Sequence, residues 1–238
     1  MKFLKLEKRN KISYVSFTRS KSLNALNSQT LRELIDLNNK LDKDITTKVI
    51  VYRSEGKNFS AGADIKEQQK KLSKLQIWKS NLGKEAIESI LKINQITIAS
   101  LRGYCLGGAA CIASACDFRV ASENTLVAYP EIDLGMNLNW FGLPLLLRLI
   151  GPSKTKKMVV SGEIENANDL FKWGFIDEIF NDEELNKKTV ALAKKYASKP
   201  TLPAQMIKRS VNALTYQADQ AIMHMDYDQF LLSREFQE

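Results

Sequence analysis

The chain is predicted to adopt an α/β fold, because short β-branched strands alternate with amphipathic helical stretches along most of its length. Three apolar runs, at residues 48–52, 96–101 and 118–121, carry that prediction, and the first two lead into glycine-rich junctions. With 238 residues the chain can bury one substantial core, and nothing in its composition marks a second autonomous domain.

The elements follow in order. Alternating runs at 3–8 and 12–17 flank the polar Arg9-Asn10-Lys11 turn and read as a hairpin. After Asn27 comes a helix with Leu31, Leu34, Ile35, Leu37 and Leu41 on one face, and Ser28 is its expected N-cap. The strand at 48–52 runs into a loop that ends in Ala61-Gly62-Ala63-Asp64. Residues 65–93 read as helical. The strand at 96–101 leads to Gly103, Gly107 and Gly108, and a helix is expected to start near Gly108, where the residues become small and apolar. Beyond the strand at 118–121 lie Tyr129-Pro130-Glu131 and an apolar helix at 143–150. From Asp182 onward the periodicity is helical, with Leu185, Val190, Leu192, Ala193 and Tyr196, then Ile207, Val211 and Leu214 on apolar faces. Such a tail cannot bury both of its sides alone, so it is expected to pack on a neighbouring subunit.

Composition excludes several function classes. Hydrophobic residues make up 44% and charged residues 26%, as in an ordinary water-soluble protein. The first residues carry too many charges for a signal peptide, and no run approaches the roughly 18 apolar residues that span a bilayer. A cytoplasmic protein without a membrane partner is the expectation. Cys105, Cys111 and Cys116 lack CxxC spacing, which fits neither a disulfide framework nor a zinc site, and they read as reduced, buried small hydrophobes. His224 is the only histidine, so a histidine metal cluster is excluded, and without a GxSxG elbow a Ser-His-Asp triad is not expected. Acid–base chemistry then falls to carboxylates. The net charge of +8 comes from scattered lysines and arginines without a long basic block, a pattern of solvated surface charge that also suits an anionic ligand. The GYCLGG stretch lacks GxGxxG spacing, and no GK[ST] follows it, so nucleotide chemistry is not expected.

Six ordered blocks carry a resemblance: Asn58-Phe59-Ser60-Ala61-Gly62-Ala63-Asp64-Ile65-Lys66-Glu67, RGYCLGGA from Arg102, CDFRVAS from Cys116, PEIDLG from Pro130, GPSKTKKMVVSGE from Gly151 and WGFIDEI from Trp173. In order and spacing they resemble the enoyl-CoA hydratase/isomerase (crotonase) family over nearly the whole chain. The resemblance implies a crotonase-like spiral of ββα units over residues 1–182 and a C-terminal α-helical region, 183–238, that trimerises, as a homotrimer or a hexamer made of two trimers. It implies an acyl-CoA thioester as substrate, with CoA part of that substrate and neither metal nor cofactor required.

The same resemblance assigns roles. Backbone N–H groups of Ala63 and Gly108 form an oxyanion hole for the thioester carbonyl, a role that suits small residues and a helix N-terminus. Glu131 takes the place of the glutamate that exchanges a proton with the substrate carbon skeleton, and its neighbours Pro130 and Ile132 make a desolvating setting that raises a carboxyl pKa. Lys21, Ser22, Leu23, Ala25, Ala61, Asp64 and Ile65 surround the adenine and pantetheine, Gly107 borders the substrate, and Lys66 meets a phosphate. Hydratases of this family carry a second glutamate 20 residues before the first, and here that position is Cys111. A thiol is a poor substitute for a carboxylate that must activate water. The single remaining glutamate resembles the double-bond isomerases, in which one carboxylate moves a proton from the α to the γ carbon. At Met136-Asn137-Leu138-Asn139-Trp140, many hydratases have a glycine-rich stretch, and the bulk here excludes water or reshapes the acyl pocket.

Isomerisation is therefore the leading expectation, with hydration and other enolate chemistry as alternatives. An RNA-binding homologue would need a clustered basic and aromatic stripe that this chain lacks, so a nucleic-acid partner is not expected. A catalytically retired CoA-binding scaffold is the remaining alternative. Cys111 as a nucleophile would need a cationic neighbour to lower its pKa, and none is near in sequence.

Overall fold

The computed structural model describes residues 1–67, 73–217, 219 and 225–235. His224 and the 68–72 portion of the predicted helix lie outside them. The two N-terminal alternating runs pair antiparallel as β1 (Leu4–Arg9) and β2 (Ile12–Phe17). Their turn places Asn10 and Lys11 at φ 51° and 66°, the left-handed pair that a tight hairpin requires.

Helix α1 (Ser28–Asp42) follows, capped by Asn27, whose side chain accepts the Thr30 N–H at 2.9 Å. The predicted cap, Ser28, is instead the first helical residue, because Asn27 already has the extended backbone of a cap. Next come β3 (Val49–Ser54), α2 (Lys74–Lys79), α3 (Leu82–Leu91), β4 (Ile96–Leu101) and β5 (Tyr104–Leu106). The helix expected over 65–93 is thus interrupted: residues 65–67 form a turn, Ser73 caps α2 through a capping box, and Asn81 caps α3 anew. The chain continues through α4 (Gly108–Ala115), β6 (Phe118–Ser122), β7 (Leu126–Ala128), a 3-10 turn at Pro130–Leu134 and α5 (Gly142–Ser161). Helix α5 contains the predicted 143–150 stretch and is broken at Gly151, where φ is 72°. Then come β8 (Glu165–Asn166), α6 (Ala167–Trp173), β9 (Glu178–Phe180), α7 (Asp182–Ala197), α8 (Thr201–Thr215) and α9 (Asp226–Glu235).

The strands form a six-stranded sheet in the order β1-β2-β3-β4-β6-β9, parallel except for the opening hairpin, and a smaller sheet β5-β7-β8. Parallel strands are buried on both faces, which explains why 49–52 and 98–101 read as continuous apolar runs. One face packs Val15, Ile50, Tyr52 and Ala99 into the main core with α1, α3 and α4. Against the other, Leu185, Ala193 and Ala197 of α7 cover Tyr14, Val49, Val51, Ile98 and Val120. On α8, Ile207, Val211 and Leu214 remain exposed in the single chain. Among the described residues no helix is long and apolar enough to cross a membrane.

Two buried cations lock the helices that carry the site. Arg119 donates to the carbonyls of Phe175 (2.5 Å), Cys116 (2.7 Å) and Ala113 (3.4 Å), which satisfies the C-terminal end of α4. Lys208 of α8 donates to the Gln95 carbonyl and pairs with Asp117, both at 2.8 Å, which ties α8 to the edge of β4. Arg119→Ala orphans these buried carbonyls and is expected to lower unfolding stability by about 3 kcal/mol, as urea denaturation would measure.

Candidate active site

The site is built by two chain segments lying side by side. Asn58 accepts the Tyr104 N–H on its side-chain oxygen at 2.9 Å. The Ser60 N–H bonds the Tyr104 carbonyl at 2.9 Å, and the Leu106 N–H bonds the Ser60 carbonyl at 3.1 Å. On the other flank, the Ala61 N–H bonds the Leu23 carbonyl, while Leu26 bonds both the Gly62 carbonyl and the Asp64 N–H. That bridge skips Ala63, an exposed residue whose N–H has no partner among the described residues. Gly62 has φ 86°, and a Cβ there would lie 2.5 Å from the Leu106 carbonyl oxygen and 3.5 Å from the Gly108 nitrogen. Gly108 opens α4, where the N–H has no intrahelical acceptor and the helix dipole is positive. Two free N–H groups are thereby brought to one place.

Glu131 stands on the 3-10 turn beside them. Its Oε1 lies so near Gly107 that a Cβ there would come within 2.7 Å of it. The other oxygen, Oε2, is buried and has no hydrogen-bond partner among the described residues. Desolvation pushes the Glu131 pKa up to about 7. The carboxyl therefore exists in both protonation states near neutral pH.

Cys111 is fully buried one turn into α4, with its thiol donating to the Asn139 carbonyl at 3.8 Å. Burial holds that thiol well above its ordinary pKa, as it does for Cys105 and Cys116, so all three are neutral. Near Cys111, Asp226 of α9 accepts the Phe141 N–H at 2.9 Å, and its second oxygen is buried without a partner among the described residues. Burial raises its pKa too. Sequence reading missed Asp226, since an acidic residue in a polar helix has no local mark of burial.

The expected CoA-facing residues fall into one cluster along the Leu23–Ala61 and Leu26–Ala63 pairings. Lys21 and Ser22 are exposed on a 3-10 turn, Leu23 is exposed with φ 50°, Ala25 and Ala61 are half-buried, and Ile65 and Lys66 are exposed. Asp64 lies in the same cluster, half-buried, with its carboxylate held by Arg19 at 2.9 Å and by the Lys66 N–H at 3.2 Å, which fastens the loop. Arg19 also donates to the Ala25 carbonyl and so clamps both loops. Buried Asn24 donates to the Glu55 and Asn58 carbonyls, each at 2.9 Å. Neither Arg19 nor Asn24 was marked by any motif.

The Glu131 shift has a consequence for folding. Because its folded pKa of about 7 exceeds the ordinary 4.5, the carboxyl stabilises the fold most at low pH and loses that contribution as pH rises through 7. Glu131→Gln does not ionise, so its stability relative to the parent should improve between about pH 5 and pH 8, as denaturation curves at both pH values would check.

Comparisons with known proteins identify the family. The sequence profile of the enoyl-CoA hydratase/isomerase family matches residues 7–238. The chain is 32% identical over 209 residues to a crotonyl-CoA hydratase of Syntrophomonas wolfei, an alignment covering 87% of this chain and 80% of that one. It is 30% identical, with the same coverage, to a short-chain-enoyl-CoA hydratase of Clostridium acetobutylicum. An enoyl-CoA hydratase structure from Mycobacterium avium subsp. paratuberculosis superposes with a TM-score of 0.91 over 100% of this chain and 95% of that one, at 19% identity, which is a likeness of fold. With a family profile spanning almost its full length, the chain belongs to the enoyl-CoA hydratase/isomerase family, the crotonase superfamily of enzymes.

Proposed function

We propose that this enzyme binds an enoyl-CoA thioester, stabilises its dienolate and moves the double bond between the β,γ and α,β positions. The observation that carries this reading is a single half-neutralised carboxyl, Glu131, beside the α4 N-terminus, with a buried neutral thiol at the position one turn further along. The thioester oxygen accepts from the N–H groups of Ala63 and Gly108. Two donors aimed at developing charge lower such a barrier by about 3–4 kcal/mol each. Ionised Glu131 takes a proton from the α carbon, and the protonated acid returns it to the γ carbon. No water or cofactor enters the balance.

The CoA portion lies along the loop cluster that holds Lys21, Ser22, Leu23, Ala25, Ala61, Asp64, Ile65 and Lys66, where the ammonium groups of Lys21 and Lys66 suit phosphates. Gly107 lets the carboxyl of Glu131 approach the thioester. The exposed apolar residues of α8 suit a homotrimer or a hexamer, and the protein is assigned to the cytoplasm.

Hydration is the second reading, favoured by the names of the relatives and by Asp226. This buried carboxyl has one oxygen without a partner among the described residues and lies near enough to Cys111 to help raise the thiol's pKa. Incubation with a β,γ-unsaturated acyl-CoA and with its α,β isomer, followed by absorbance and mass, separates the two. Double-bond migration without mass change is expected, and a gain of one water, lost in Asp226→Asn, would establish hydration instead. Glu131→Gln should lower kcat by about a hundredfold to ten-thousandfold. Since the base form acts on the β,γ substrate, kcat/KM should rise with pH and level off above about 7. Silence of both substrates would overturn the enoyl-CoA reading.

A further inference from the structure

Most glycines around the site have positive φ, which explains them by backbone conformation alone. Gly83 and Gly108 do not: both sit in helices with backbone angles that any residue adopts. What keeps them glycine is the indole of Trp140. A Cβ on Gly83 would collide with the five-membered-ring side of the indole, at Cε2, Nε1 and Cδ2, and a Cβ on Gly108 with its benzo edge, at Cζ3, Cε3 and Cη2. The ring is therefore wedged between the first turns of α3 and α4, against the residue whose N–H forms half of the oxyanion hole.

The wedge is held in place by its own backbone. Trp140 and Phe141 have φ 58° and 55°, a left-handed pair that is costly for bulky residues and persists only where the surroundings enforce it. Asn139 accepts the Trp140 N–H at 2.6 Å and an Asn81 N–H at 3.2 Å, and Asp226 accepts the Phe141 N–H. From α9, Ser233 accepts the Asn137 N–H at 3.0 Å and Gln229 accepts the Asn137 side-chain N–H at 2.9 Å. The start of α3 and helix α9 thus converge on the turn that carries the indole.

We infer that Trp140 is the acyl-length determinant of this enzyme: its indole closes the gap between α3 and α4, so the site accepts a short acyl group and rejects a long one. An acyl chain whose carbonyl is held at the Gly108 N–H meets the ring within its first carbons. This inference rests on the acyl-CoA reading above and is independent of whether the enzyme isomerises or hydrates.

The test is binding of saturated butanoyl-, hexanoyl-, octanoyl- and decanoyl-CoA, which undergo no double-bond chemistry, measured by calorimetry on the parent, Trp140→Gly and Trp140→Phe. Glycine is chosen because it relieves the positive φ, and phenylalanine because it keeps a smaller ring should the glycine variant fail to fold. The parent should bind butanoyl-CoA and lose affinity as the chain lengthens. Trp140→Gly should reverse that order, with affinity climbing by about fourfold per added methylene, and Trp140→Phe should fall between them. An unchanged chain-length profile in a folded variant overturns the role of Trp140 while leaving the functional reading intact. Failure of the parent to bind any acyl-CoA overturns both.

Discussion

Everything at this site depends on how closely the 58–64 passage can lie against 102–108. At Gly62 the two backbones are so near that a Cβ would stand 2.5 Å from the Leu106 carbonyl oxygen. A side chain there would push the segments apart, and with them the unbonded N–H groups of Ala63 and Gly108. The hydrogen bonds of Asn58 and Ser60 to the backbone of 104–106 hold the inner flank of this contact. The Arg19–Asp64 pair holds the outer flank, with both side chains largely shielded from water. A partly desolvated pair of this kind contributes geometry more dependably than net stability. Its value here is to fix where the Ala63 N–H points.

Glu131 shows two opposing effects and which of them wins. A hydrogen bond from its own backbone favours the ionised carboxylate, whereas burial disfavours it. The balance settles at about 7, above the ordinary value, so desolvation dominates. Gly107 contributes by leaving no side chain between the carboxyl and the start of α4. The neutral thiol of Cys111 matters for the same reason. A second carboxylate in that place would repel the first and raise its pKa further, whereas the neutral thiol adds no such charge beside Glu131.

The parts of this architecture that follow a local pattern were legible in the sequence. The strands at 49–54 and 96–101, the hairpin and the helix beginning at Gly108 all rest on periodicity or on turn residues. The interruption between 65 and 93 was not legible, because Ser73 and Asn81 cap helices yet read as ordinary polar positions on one long helix. At Asn27-Ser28, two good capping residues stand in sequence, and only backbone geometry chooses between them. Arg19, Asn24 and Asp226 were missed for a different reason: each acts on a distant segment, as Arg19 does on Asp64 across 45 positions. For Asp64 the pattern marked the residue but not its tie to Arg19, a cation that no spacing rule could identify.

The two departures noted at Cys111 and at 136–140 are physically one. Gly142 opens α5 with an ordinary helical backbone, yet a Cβ on it would come within 2.8 Å of the Cys111 sulfur and 2.9 Å of Leu138. The thiol already touches the backbone that follows Trp140, so a glutamate side chain at 111 has no room unless residues 138–142 move. Those residues cannot move freely, because the same turn wedges Trp140 between Gly83 and Gly108 and is bonded to α9 through Asp226. Neighbouring substitutions that share a contact are not independent. A single replacement at 111 therefore cannot reinstate a two-carboxylate site in this chain. The carboxylate, the turn and the glycine that seats the indole would have to change together.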